Sequence, residues 1–147
     1  MCNFLYLSTT SDLDLTLYNQ LDVLNFERMD KSQNQRLTDV LLYENVWYVS
    51  NRPGDCSCGF RHMMSNMSEF GFFSPMDWYK EDEDEILATK LLYKVLYGLL
   101  ESGHKADILD DYHELPKETL PLLEVNLKEI GEDRFLLYED SHFVFGI

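Results

Sequence analysis

Cys56, Cys58 and His62 fall inside "DCSCGFRH" (55–62), and thiolates with imidazole are ligand types that zinc takes. A structural zinc site needs four such ligands. This stretch supplies three. Cys2 is the only other cysteine, and it completes the set if the first strand lies beside the turn. His104 and His113 are further donors. The same pair also suits redox chemistry: a Cys-x-Cys pair can close into a strained, easily reduced disulfide, and Arg61 lowers a nearby thiol pKa. The plain alternative is a turn made by Gly59, with one cysteine packed as a small hydrophobe.

The spacing adds a partial resemblance. "CSCG" (56–59) is similar to the Cys-x-Cys-Gly opening of the small SEC-C zinc motif. That motif continues with a second Cys-Cys or Cys-His pair, and "NMSEF" (66–70) holds none. The resemblance ends with the four opening residues, so no further ligand follows from it.

A second ligand-type cluster is "DILDDYHE" (107–114), with Asp107, Asp110, Asp111 and His113 at the end of a predicted strand. Carboxylates and imidazole on a strand-end loop can hold a divalent cation. An acidic protein also carries solvated loops of this composition. The chain has no HExxH, Walker A, GxSxG or GxGxxG pattern, so common hydrolase and nucleotide-binding classes lose weight.

The stretch "FGFFSPMDWYKEDEDE" (70–85) fits partner binding. Phe72, Phe73, Trp78 and Tyr79 stand beside Glu81, Asp82, Glu83, Asp84 and Glu85. Interface centres favour aromatic residues, and charged rims steer encounter. The competing reading anchors the aromatics in the core and gives the acids to a helix start.

Charge supports that choice of partner. The 147 residues carry a formal net charge of −15. Residues 1–75 hold 5 Lys/Arg and 9 Asp/Glu, and residues 76–147 hold 7 and 18. Such a chain is repelled by nucleic-acid backbones and anionic membranes and favours basic proteins or cations. Neither direct nucleic-acid binding nor membrane association is expected. "MCNFLYLSTTSDLD" lacks the basic segment of a secretory signal, and three cysteines leave one unpaired within the chain. Both point to the reducing cytoplasm.

These groups need elements to hold them. "NFLYLS" (3–8) and "NVWYVS" (45–50) read as strands. Residues 12–20 suggest a short helix with Leu13, Leu17 and Leu21 on one face, and residues 28–36 a polar loop. "NRPGD" (51–55) is turn chemistry, and "GFRHMMSNM" (59–67) is expected to return as a strand. That makes 46–65 a hairpin with the cysteines near its tip.

The acids at 81–85 open an amphipathic helix over about 83–102, and "HKADILDDY" (104–112) follows as a strand. The tail reads as a β-meander. The expected fold is α+β, one domain over 1–147, a mostly antiparallel sheet of about five to seven strands with the long helix packed on it. The expected function is a small acidic intracellular binding or regulatory protein without catalytic activity, engaging a basic partner through its second half. The alternative is a metal-binding or redox thiol protein built on the cysteine turn.

Overall fold

A computed structural model describes residues 2–76 and 81–147. The apolar run near the N-terminus forms β1 (Phe4–Thr9), and "NVWYVS" forms β3 (Asn45–Ser50). Between them lies β2 (Asn25–Met29), in a stretch whose end the sequence reading assigned to a loop. Downstream are β4 (His62–Met63), β5 (Ala106–Asp111), β6 (Leu122–Asn126), β7 (Leu137–Tyr138) and β8 (Ser141–Gly146). The helices are α1 (Gln35–Val40), α2 (Glu83–Glu101) and α3 (Leu127–Arg134).

The fold is α+β. Six strands make one sheet in the order β2-β3-β1-β5-β8-β6, antiparallel except for the parallel pair β6–β8. Side chains alternate across it. Leu5 and Leu7 of β1, Trp47 and Val49 of β3, Ile108 of β5 and Phe143 of β8 join Leu92, Leu96 and Leu99 of α2 in the main core. Behind the sheet, Leu109 meets Leu37, Val40 and Leu41 in and beside α1. β5 is therefore buried on both faces.

The long helix forms as its sequence demands. Asp82 caps it by accepting the Asp84 amide at 2.8 Å, and Glu83, Asp84 and Glu85 stand at the positive end of its dipole. Gly103, at φ +89°, takes the left-handed turn that ends it. Among the described residues, no helix is long and apolar enough to cross a membrane.

Several local expectations are corrected. Residues 12–20 hold only a 3₁₀ turn at Leu15–Tyr18, capped by Asp14. Leu15 is its buried residue, whereas Leu17 and Leu21 are 71% and 83% exposed. A 3₁₀ turn has three residues per turn and cannot carry the i, i+4 stripe.

The 46–65 hairpin does not form. After the cysteines, Phe60 enters the core and the Arg61 amide donates to Thr89 Oγ1 of α2 at 2.9 Å. β4 then pairs in parallel with β7 instead of with β3. The C-terminal strands are present, but β6 reaches its neighbour β8 through α3 and β7, because parallel strands need a crossover. Asn126 starts α3 by accepting the Glu129 amide at 3.0 Å.

Candidate metal centre

The cysteine turn begins at Gly54, whose φ of +73° suits glycine. Asp55 next accepts the Cys56 amide at 2.9 Å, and its carbonyl accepts the Tyr48 hydroxyl at 2.5 Å. Ser57 then locks the turn onto the sheet. Its amide donates to the Asn3 carbonyl at 2.8 Å, and its hydroxyl accepts the Leu5 amide at 3.0 Å and donates to the Val49 carbonyl. Ser57 is fully buried, so Cys56 and Cys58 project from a fixed base.

Asn51 ties the far side. Its Nδ2 donates to the Val23 carbonyl at 2.9 Å and the Gly59 carbonyl at 3.2 Å, and its Oδ1 accepts the Gly59 amide at 3.1 Å. A Cβ on residue 59 would overlap this carboxamide. Glycine is needed there for close approach.

This framework brings Cys2 to the pair. The sulfurs of Cys2, Cys56 and Cys58 all lie within 4.8 Å of one another. The Cys56 and Cys58 sulfurs are 3.2 Å apart, and the Asn3 amide donates to Cys58 Sγ at 3.3 Å. All three cysteines are free, and they form a group that can hold a metal ion.

Desolvation pushes the Cys58 thiol up to about 12, and proximity to Cys56 adds to this against the lowering Asn3 hydrogen bond. Desolvation also raises Cys56, but hydrogen bonds from Cys58 and Cys2 outweigh it and hold that thiol below its ordinary value. The two thiols are thus unequal, and Cys56 is the one of the pair that ionises first. Cys2 and Cys56 open onto a surface groove walled by Phe4, Tyr6 and Tyr48, whose rings stand 5.5 to 6.2 Å from centre to centre.

His62 is not part of this group. It lies on the opposite face of the sheet, with Nδ1 3.0 Å from the Phe60 carbonyl and Nε2 2.8 Å from Asp110 Oδ2. The approach to Asp110 is close but poorly aligned. His62 Nε2 and both Asp110 oxygens complete no hydrogen bond among the described residues.

The carboxylates of 107–114 diverge. Asp110 faces α2, while Asp107 and Asp111 face the other way, as alternation along β5 requires. Asp107 pairs with His142 at 2.7 Å and accepts the Leu42 amide at 3.0 Å. Asp111 takes Arg36 in a two-pronged contact at 2.6 and 2.8 Å. His113 meets none of them and pairs with Asp140 at 2.5 Å.

The 70–85 stretch is divided. Phe72 stands edge-on to Tyr138 at 6.1 Å, and the Phe73 carbonyl accepts Arg61 Nη2 at 2.8 Å. Glu81 turns inward to receive Arg61 Nε at 2.9 and 3.0 Å. Asp82 serves as the helix cap, Glu83 and Asp84 are exposed, and Glu85 is half-buried. Trp78 and Tyr79 lie outside the described residues.

Sequence reasoning missed Ser57 and Asn51, which build the local framework. It set Arg61 beside the thiols, whereas the guanidinium turns to Glu81 and the carbonyls of Phe73, Asp133 and Phe135. A polar residue enclosed by two cysteines was the available signal for Ser57. The partners of Arg61 were not legible, because they come from distant segments.

No protein-family model matches the chain, and neither a curated protein nor a solved structure does.

Proposed function

We propose that the protein binds a thiophilic metal ion, zinc, through Cys2, Cys56 and Cys58. The observation that carries this reading is the convergence of three sulfurs from segments 54 residues apart, all within 4.8 Å of one another. Zinc holds thiolates at about 2.3 Å, which sets tetrahedral sulfurs about 3.8 Å apart. The Cys56–Cys58 pair, at 3.2 Å, stands somewhat closer than that, and Cys2 lies within 4.8 Å of both, so zinc entry would spread the pair slightly. A net charge of −15 favours cation capture.

Three protein ligands leave a fourth position on zinc for water or another donor. Cys2 and Cys56 both border the Tyr6–Tyr48 groove, so an exchangeable ligand would approach from there. The basic-partner reading has less support, because Phe72, Phe73 and Glu81 are engaged within the protein.

Native mass spectrometry of chelator-treated, zinc-reconstituted protein tests the proposal, with elemental analysis alongside. One zinc per chain is expected, lost in both Cys58→Ser and Cys2→Ser. Three free thiols and no retained zinc would overturn it. A Cys56–Cys58 disulfide formed in preference to zinc uptake would also overturn it and make the pair a redox centre.

A further inference from the structure

A further concavity lies on the α2 side of the sheet, separate from the cysteines. It measures about 540 Å³, within the range of roughly 300–1,000 Å³ usual for small-molecule sites. Met63, Met64, Met67 and Met76 line it with Phe70 and Phe73. Four of the chain's six methionines therefore meet in one place. Met64, Phe70 and Met76 keep large exposed apolar surfaces at its rim. Methionine is polarizable and adaptable, so such a wall accepts apolar bodies of varied shape.

Two polar side chains enter the lining, His62 and Glu139. The His62 ring is already engaged, with one nitrogen at the Phe60 carbonyl and the other beside Asp110. Behind it, the Asp110 carboxylate is fully buried and receives no hydrogen bond among the described residues. Glu139 is half-buried at the mouth and makes no ion pair among the described residues. The described ionisable groups that line the cavity are thus one carboxylate, Glu139, and one imidazole, His62, while the Arg61 guanidinium behind Phe73 is answered by Glu81. No described Lys or Arg lines it.

We propose that this cavity binds a small amphipathic organic cation, an alkyl- or arylamine. Its apolar body lies among the methionines and its ammonium group faces Glu139. Charge complementarity selects the head group: His62 and the buried Asp110 answer each other at 2.8 Å, so Glu139 is the lining charge left for a ligand, and it attracts a cation and repels an anion. The exposed Phe70 ring favours a cation in the same way, whereas the Phe73 ring already has the Arg61 guanidinium 5.9 Å from its centre. The mixture of an apolar wall with one convergent polar group is the usual anatomy of a ligand site.

Methyl NMR on protein carrying ¹³C-methyl methionine tests this, with hexylamine, hexanol and hexanoate as probes. Hexylamine at millimolar concentration is expected to shift the Met63, Met64, Met67 and Met76 methyls saturably. Met29, beside the cysteine groove, is the internal control. Glu139→Gln is expected to weaken hexylamine about fivefold, the size of a partly exposed ion pair. Met67→Trp is expected to fill the cavity and abolish the shifts.

Equal binding of hexanol or hexanoate would overturn the charge assignment. No saturable shift with hexylamine would overturn the site, and Glu139→Gln tests the head-group contact even if Met67→Trp fails to fold. Shifts that depend on protein concentration without any probe would place a second copy of the chain on this surface and likewise overturn the proposal.

Discussion

The Leu5 amide donates to the Ser57 hydroxyl at 3.0 Å across 52 positions of sequence, and that hydroxyl donates on to the Val49 carbonyl. One side chain thus joins β1, β3 and the cysteine turn. Ser57→Ala leaves both backbone groups buried without this partner, at about 1–3 kcal/mol for each. We expect a total loss of roughly 2–6 kcal/mol in urea unfolding, with faster zinc release to a chelator. An unchanged midpoint would show that the hydroxyl does not hold the turn.

Gly59 and Asn51 make a coupled pair. Gly59→Ala drives a methyl into the Asn51 carboxamide and is expected to cost about 1–3 kcal/mol. In an Asn51→Ala background the obstruction is gone, so the same change is expected to cost less. Strictly additive costs in this double-mutant cycle would contradict the contact.

Arg61 is 2% exposed and its partner Glu81 is 5% exposed. The same guanidinium also donates to the carbonyls of Phe73, Asp133 and Phe135. Arg61→Met strands a buried carboxylate and is expected to cost roughly 3–5 kcal/mol. Arg61→Lys recovers little, because an ammonium cannot reproduce the planar fork. Thermal melting decides the matter: a lysine variant as stable as the parent would rule out the fork as the essential feature.

The His62–Asp110 pair gives stability a pH dependence. Burial alone would lower the His62 pKa, but the Asp110 carboxylate outweighs it and holds the imidazolium above its usual 6.5. Burial raises Asp110 above 3.8, against the opposing pull of His62. Glu139 adds to the rise of both. Each group therefore binds its proton more tightly folded than unfolded.

The His62 contribution is fully present below 6.5 and is lost as pH rises through the raised folded value. The Asp110 contribution fades in the same direction from 3.8 upward. Urea unfolding at a series of pH values above 6.5 is expected to show a shallower decline in a His62→Gln, Asp110→Asn double variant. An identical slope in that variant would clear the pair of any part in it.

The legible parts of the fold were those encoded locally. Asp82, the three acids after it and the apolar spacing of Ala88, Leu92, Val95 and Leu99 announce α2 within a single stretch. β3 shows itself through β-branched and aromatic residues, all buried. β2, reading "NFERM", places charged Glu27 and Arg28 in a strand held by its pairing with β3. That support is tertiary, so local pattern could not reveal it.

The same limit shaped the candidate sites. The spacing of Cys56 and Cys58 is visible in sequence, but the approach of Cys2 depends on β1 pairing with β3 in the register Leu5↔Val49. His62 is four residues from Cys58, yet the chain carries it to the other side of the sheet before it meets Asp110. The acids of β5 read as a ligand loop because their counter-ions, Arg36 and His142, come from distant segments.

β1 stands in the middle of the sheet, between β3 and β5, although it is made first. During synthesis from the N-terminus its two sides are completed at different times. The β3 side and all three sulfurs are available once residue 58 has emerged, whereas the β5 side must wait until residue 111. A nascent chain can therefore close the cysteine cluster while the other edge of β1 is still open on the ribosome. A metal ion taken up at that stage would act as a clasp that pins the start of β1 to the turn after β3 while its other edge waits for β5.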